Sequence, residues 1–280
     1  MVKSLRINRF PVWLAVVCLL ATEAAAGPWV PRAGAYYFQV SYAFQTAHQM
    51  FDSHGVRGRL ADRGEYADNA LEFYGEVGVG RKLALIAAAP FKWLSLRRVM
   101  EPDFRSSGAA DGLVGVRYGG RLMGLAVAAQ LNVRSALDYD AQAVPALGDD
   151  QTDFEAHVLA GGSWMSALPG YLQGDVGRRT RAGRAADEWV YAVEAGIWVA
   201  PSVMLSGFVR GTRSGGETLL RLDQVIPDAS TSESYTSAGL GVAYRVMDRL
   251  DVRAEYGGLT GGRNTLALSG WRFGVSLSRD

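Results

Sequence analysis

Cysteine is nearly absent from this sequence: there is one in 280 residues, Cys18, and it stands inside an apolar N-terminal run. Beyond residue 26 there is none, which excludes a disulfide framework and thiolate metal sites from the rest of the chain. Long apolar runs are missing as well. After the N-terminus no segment approaches the roughly 20 consecutive apolar residues that a membrane-spanning helix needs. Neither sign of charge predominates, with 29 Lys+Arg against 28 Asp+Glu, and setting aside residues 1–26, with three basic residues and Glu23, leaves 26 against 27. Bulk charge therefore points to no nucleic-acid partner. Histidine is scarce too, confined to His48, His54 and His157.

What is present begins with the three-part layout of a secretory signal peptide: Lys3, Arg6 and Arg9, the apolar run Trp13–Leu20, then Ala24-Ala25-Ala26 before Gly27. The run is too short to span a bilayer as a helix. Cleavage after Ala26 is expected, leaving residues 27–280 as one exported domain. An exported chain of this size without disulfides must rely on a large core or on a closed barrel whose strands satisfy one another's backbone groups.

The stretch YYFQVSYAFQ, Tyr36 to Gln45, puts Tyr36, Phe38, Val40, Tyr42 and Phe44 on one strand face and Tyr37, Gln39, Ser41, Ala43 and Gln45 on the other. Such alternation recurs in twelve segments: 36–46, 68–79, 83–94, 111–118, 122–134, 152–164, 170–181, 188–199, 203–213, 235–245, 250–258 and 265–277. Their connections alternate in length. Short ones (80–82, 119–121, 165–169, 200–202, 246–249) follow the even strands; those after the odd strands are mostly longer and polar, as at 47–67, 95–110, 135–151 and 214–234, with shorter ones at 182–187 and 259–264. Short turns at one end and long loops at the other predict an all-β fold, a closed antiparallel transmembrane barrel of about 12 strands in a Gram-negative outer membrane. A soluble secreted β-protein is the rival that would bury the aromatic face instead.

Aromatics sort into two bands under this reading, Tyr36, Tyr118, Trp164, Tyr171, Trp198 and Tyr244 near the turn end, and Phe44, Trp93, Trp189 and Tyr256 near the loop end. The opposite strand faces carry ionisable residues. Glu76, Glu155, Asp175, Glu194, Arg253 and Arg272 are the candidate lumen or constriction residues, with an acidic arc (Glu155, Asp175, Glu194) facing a basic one (Arg253, Arg272). Kept apart, the two arcs would set a transverse field and weak cation selectivity; paired locally, they would shut the lumen. At the loop end, Arg97, Arg98, Arg179 and Arg181 are candidates for a rim that meets lipopolysaccharide phosphates, which guanidinium groups bind bidentately.

Catalytic chemistry finds no support. A barrel phospholipase needs a serine and a histidine together on the lipid face, but His157 shares the parity of Asp153 and Glu155 and faces the lumen. No GxSxG elbow or P-loop occurs. His48, Asp52 and His54, and Asp149, Asp150 and Asp153, are of metal-ligating type, yet loop tips are rich in such residues for turn formation. No enzyme, metal or cofactor is expected.

Four segments resemble the family of outer-membrane proteins associated with the phenol-degradation meta-pathway: Glu72–Gly80, Ser107–Tyr118, Leu147–Glu155 and Gly170–Arg178. The resemblance covers most of the exported chain and rests on Gly-and-aromatic strand patterns. It implies a barrel that passes small molecules, among them aromatic or hydrophobic compounds. The reading is thus a passive outer-membrane channel; its alternative is a non-transporting structural or adhesive barrel whose lumen is closed by salt bridges. Expected partners are outer-membrane lipid and lipopolysaccharide, a small-molecule solute and the barrel-assembly machinery.

Overall fold

The computed structural model describes residues 27–140, 142–182, 186–216 and 233–279; the expected signal peptide lies outside them. The chain forms strands β1 (Tyr36–Ala47), β2 (Gln49–Phe51), β3 (Arg57–Arg59), β4 (Glu65–Gly78), β5 (Leu83–Arg98), β6 (Glu101–Leu122), β7 (Leu125–Asp138), β8 (Asp153–Trp164), β9 (Gly170–Arg181), β10 (Glu188–Ala200), β11 (Val203–Ser214), β12 (Ser234–Met247), β13 (Leu250–Arg263), β14 (Thr265–Leu266) and β15 (Ser269–Arg279). Twelve of these close a barrel in the order β1-β15-β13-β12-β11-β10-β9-β8-β7-β6-β5-β4, and β14-β2-β3 form a small separate sheet. Every barrel pairing is antiparallel, including the seam between β1 and β15, where Tyr36 opposes Arg279 and Thr46 opposes Ser269. Closure leaves no ladder edge unpaired, the condition for a sheet surrounded by lipid.

Period-two alternation dictates the two faces. On β1, Phe38, Val40, Tyr42 and Phe44 are exposed on the outside, while Ser41 and Ala43 are buried within. The same holds for Leu131 and Val133 around the buried Asn132 on β7. Near the loop end, Phe44, Phe273, Trp271 and Tyr256 run side by side across β1, β15 and β13 with ring centroids 5.1–5.9 Å apart. Such an apolar belt suits hydrocarbon and would not survive in water. The two-band assignment needs two corrections. Tyr171 is only 1% exposed and points inward, and Trp198 packs inside against Met204 and Ala243; both lie on the inward parity of their strands.

The belt sets a test of depth. Arg at Leu131, 61% exposed in mid-strand, should destabilise the barrel by about 2–4 kcal/mol, whereas Arg at Leu137, 51% exposed near the loop end of the same strand, should cost about 0–1 kcal/mol. Folding titrations into bilayers measure both, and equal losses would contradict the assigned belt.

Three connections differ from the sequence expectation. Residues 95–110 are not a loop, because β5 and β6 continue pairing to Arg98 and Glu101 and turn at Val99–Met100. The turn expected at Gly119–Arg121 lies at Met123 (φ 50°) and Gly124 (φ 87°), the left-handed pair that a two-residue hairpin requires. Gly119 instead stays in β6, where a Cβ would meet the Val30 side chain at 2.9 Å. Finally, Thr265 and Leu266 belong to the small sheet and not to the last barrel strand. They pair with Phe51 and Met50.

Candidate functional site

The lumen is obstructed at both ends, by elements outside the strand ladder. At the turn end, residues 27–35 run across the opening as a strap. Gly27 lies against Gln173 on β9, Pro28 against Gly161 on β8 and Val30 against Gly119 on β6. The segment then reaches β4, where Gly34 N–H donates to the Gly78 carbonyl (2.8 Å) and Gly78 N–H to that of Ala35 (2.9 Å). Gly78 has no room for a side chain there, because the Arg32 carbonyl takes the Cβ position. In the cyclic strand order β9 is opposite β1, so the strap joins opposite sides of the barrel, with its contacts on the β8, β6 and β4 side. Trp29 meets Tyr171 edge to face beneath it, centroids 6.2 Å apart at 86°.

At the loop end a cap forms from three connections. The β14-β2-β3 sheet joins the β1–β4 and β13–β15 loops, and Met50, Leu60, Leu147 and Leu266 form a buried apolar cluster with Tyr66, Leu94 and Leu96 of the wall. The loop between β7 and β8 folds inward to reach this cluster. Asp111 pins it by accepting from the Tyr139 hydroxyl (2.6 Å) and from Asp149 N–H (3.0 Å), while Asp150 N–H donates to the Tyr139 hydroxyl oxygen (2.7 Å) and the Ser106 hydroxyl donates to the Pro145 carbonyl (2.6 Å). Sequence reasoning missed Asp111 because it stands in a bulge. Residues 110–112 of β6 oppose Ala89–Pro90 of β5, which puts Ala110 and Asp111 both inside. Pro90 is the signal that marks it, since proline offers the ladder no N–H.

All six candidate lumen residues face inward, and each meets a local partner. Glu76 accepts two hydrogen bonds of 2.9 Å from Arg117, which also donates to Gln130 (2.8 Å). Glu155 is held by Arg134 (3.2 Å), Arg179 (2.7 Å) and Asn132 (3.1 Å). His157 bridges Asp175 (3.1 Å) and Glu155 (3.3 Å). Glu194 accepts from the Tyr171 hydroxyl. Arg253 pairs with Glu255 (3.3 Å), and Arg272 with Glu72 (2.9 Å) and Glu255 (3.5 Å). Glu155, Asp175, Arg253 and Arg272 thus each have an ionisable partner close by, whereas the partner of Glu194 is the uncharged Tyr171 hydroxyl. Parity had indicated the direction of each side chain but not the counter-charge two residues along or one or two strands over.

The rim assignment is corrected for two of four arginines. Arg179 and Arg181 occupy inward positions on β9 and bind Glu188 at 2.7 and 3.1 Å; Arg181 also pairs with Asp149. Arg97 and Arg98 do stand at the loop end, by the Val99–Met100 turn, with the Arg98 guanidinium 5.2 Å from the Phe104 ring centre. The metal-type loop residues are otherwise engaged. Asp52 accepts from the N–H groups of His54 and Val56, both at 2.8 Å, and Asp149 and Asp153 face Arg181.

Between the ion-paired belt and the cap lies a chamber of about 450 Å³. Lys92, Arg179, Arg181, Arg210 and Arg272 line it together with Asp68, Asp149, Glu188, Glu233 and Glu255; Leu147, Leu266 and Leu268 form its roof. Among its loop carboxylates, burial raises Asp149 in spite of Arg181. By contrast Asp187, outside the chamber, is held below the usual range by Arg181 N–H and Arg178. Enclosure pushes Glu233 from its ordinary 4.5 up to about 7, against a hydrogen bond from the Thr265 hydroxyl at 3.2 Å. A carboxylate raised in the folded state binds more protons there, so its contribution to cap stability is lost as pH rises from about 4.5 through about 7. Limited proteolysis of the cap should accordingly run faster at pH 8 than at pH 6. Glu233→Gln should abolish that difference, and a persistent difference would assign it to another group.

No family model matches the sequence, and no curated protein matches it by sequence. Among solved structures, an outer membrane channel from Pseudomonas putida F1 superposes with a TM-score of 0.72 at 13% identity, covering 92% of this chain and 99% of that one. The translocator domain of the autotransporter NalP from Neisseria meningitidis (TM-score 0.49, 10% identity, 89% of this chain and 90% of that one) and the KdgM porin (0.48, 8%, 86% and 99%) also match, at scores too low to add to the comparison. The first likeness is one of fold: this chain is a closed twelve-stranded antiparallel barrel of the outer-membrane type.

Proposed function

We propose that the protein is an outer-membrane channel through which small molecules pass down their gradients, exported by its N-terminal signal and inserted by the barrel-assembly machinery. The observation that carries this reading is the chamber of about 450 Å³ inside the wall, because its roof is made of loops that can move without parting any strand of the wall. The apolar outer belt supports residence in lipid. Turns then face the periplasm and the cap faces outward, where Arg97 and Arg98 stand ready for lipopolysaccharide phosphates. The family resemblance favours aromatic or hydrophobic compounds as solutes.

The second reading, a structural barrel with a closed lumen, draws support from the dense ion pairing in the turn-side half, Glu76 with Arg117 above all. Planar-bilayer recording with a liposome-swelling series over neutral, charged and aromatic solutes separates the two. Discrete conductance steps and solute-dependent swelling are expected. Complete absence of both, in protein shown by heat-shifted electrophoretic mobility to be folded, would leave the structural barrel.

A further inference from the structure

The chamber holds cations and carboxylates in equal number, but they are not matched one to one. Lys92 faces Asp68 at 3.5 Å, Arg179 and Arg181 share Glu188, and Arg272 reaches Glu255 at 3.5 Å. Glu233 is met by the Thr265 hydroxyl. Among the described residues, Arg210 has no carboxylate within ion-pair distance, although its side chain is exposed to the chamber. Its neighbours across the ladder are Ala192 on β10 and Ser237 on β12, neither of which carries charge.

Arg210 is nonetheless held in place. Its Cζ lies 4.3 Å from the centre of the Phe208 ring, two residues along the same face of β11. Stacking on an aromatic face fixes the guanidinium plane and leaves its edge donors free, the arrangement that matches a carboxylate bidentately. Because that guanidinium is exposed to the chamber, its donors are available to an anion that enters. The rest of the enclosure is of another kind: Pro145, Leu147, Leu259, Leu266 and Leu268 give it an apolar side. A volume of about 450 Å³ falls within the roughly 300–1,000 Å³ of small-molecule sites.

We infer that this chamber is a binding site for a small organic carboxylate with an aromatic or aliphatic body, its carboxylate on Arg210 and its body against the leucine-lined side. The inference deepens the channel reading, since it places a solute-binding station on the route. It also assigns Phe208 the role of positioning Arg210, so that Arg210→Lys, which keeps the charge without the planar fork, recovers only part of the affinity.

Isothermal titration of the folded full-length barrel in detergent with benzoate, benzamide and acetate tests the site without recourse to transport. Benzoate should bind about tenfold or more tightly than benzamide, which lacks the charge, and more tightly than acetate, which lacks the body. Arg210→Gln should remove the preference for benzoate over benzamide; Arg97→Gln, at the rim, should leave it intact. Equal affinities for benzoate and benzamide in the unaltered protein overturn the site, as does an Arg210→Gln barrel that is folded and keeps the preference. The two readings fail separately. Benzoate binding without conductance removes the channel and keeps the site, whereas conductance without benzoate preference removes the site and keeps the channel.

Discussion

Removing residues 27–33 while retaining the export signal is expected to raise single-channel conductance on the order of tenfold, because an opening packed with apolar side chains conducts little until it is wetted. The strap is suited to this test. Among the described residues, the backbone hydrogen bonds that join it to the wall are made at Gly34 and Ala35, outside the deletion. What the deletion removes is the packing of Pro28, Trp29 and Val30 against Gly161, Tyr171 and Gly119. The ladder is untouched, so the heat-dependent mobility of the barrel should persist. An unchanged conductance would place the narrowest point at the cap instead, and shortening the 143–148 loop would then be the operative change.

The largest effect on stability is expected from Glu76→Gln. Glu76 and Arg117 are each 3% exposed at the side chain, and the substitution strands the guanidinium with Gln130 and Tyr74 as its remaining partners. Breaking a buried pair from one side costs about 3–5 kcal/mol, whereas replacing both partners by uncharged groups of similar size is often nearly neutral. The double variant Glu76→Gln with Arg117→Met should therefore recover most of what Glu76→Gln loses. Urea unfolding in lipid vesicles, arranged as a double-mutant cycle, measures the coupling. Additive losses would mean that water in the lumen already solvates both groups.

Strand number, facing and closure were legible in the sequence because they rest on local alternation, which lipid enforces on every strand at once. Phe38, Val40, Tyr42 and Phe44 face out and Glu155, His157 and Asp175 face in, as their parity requires. The closures of the lumen were not legible, because they depend on residues far apart in sequence. Gly78, Gly119 and Gly161 look like ordinary strand or turn glycines until residues 27–35 are laid across them. Likewise Arg179 and Arg181 read equally well as a rim or as a wall until Glu155 and Glu188 are seen beside them. Pro90, inside the segment read as an unbroken strand at 83–94, was the available sign of an irregularity, and it marks the bulge from which Asp111 holds the inward loop.

The small sheet of the cap bears on how the barrel resists being pulled apart. Eleven of the twelve barrel ladders join strands that follow one another along the wall, linked by a turn or loop; β1 and β15 meet with no such link. Directly above that joint, Phe51 pairs with Thr265 and Met50 with Leu266, and Ala267 N–H donates to the Gln49 carbonyl at 2.9 Å. The loops leaving the two joined strands are thus buckled to each other. Should thermal motion unzip the joint, this buckle keeps the parted edges at high mutual concentration, so that re-pairing outruns diffusion. Substituting proline at Leu266 would undo the buckle together with that residue's packing in the cap, and the first and last strands, otherwise the easiest pair in the wall to separate, would lose their advantage in closing again.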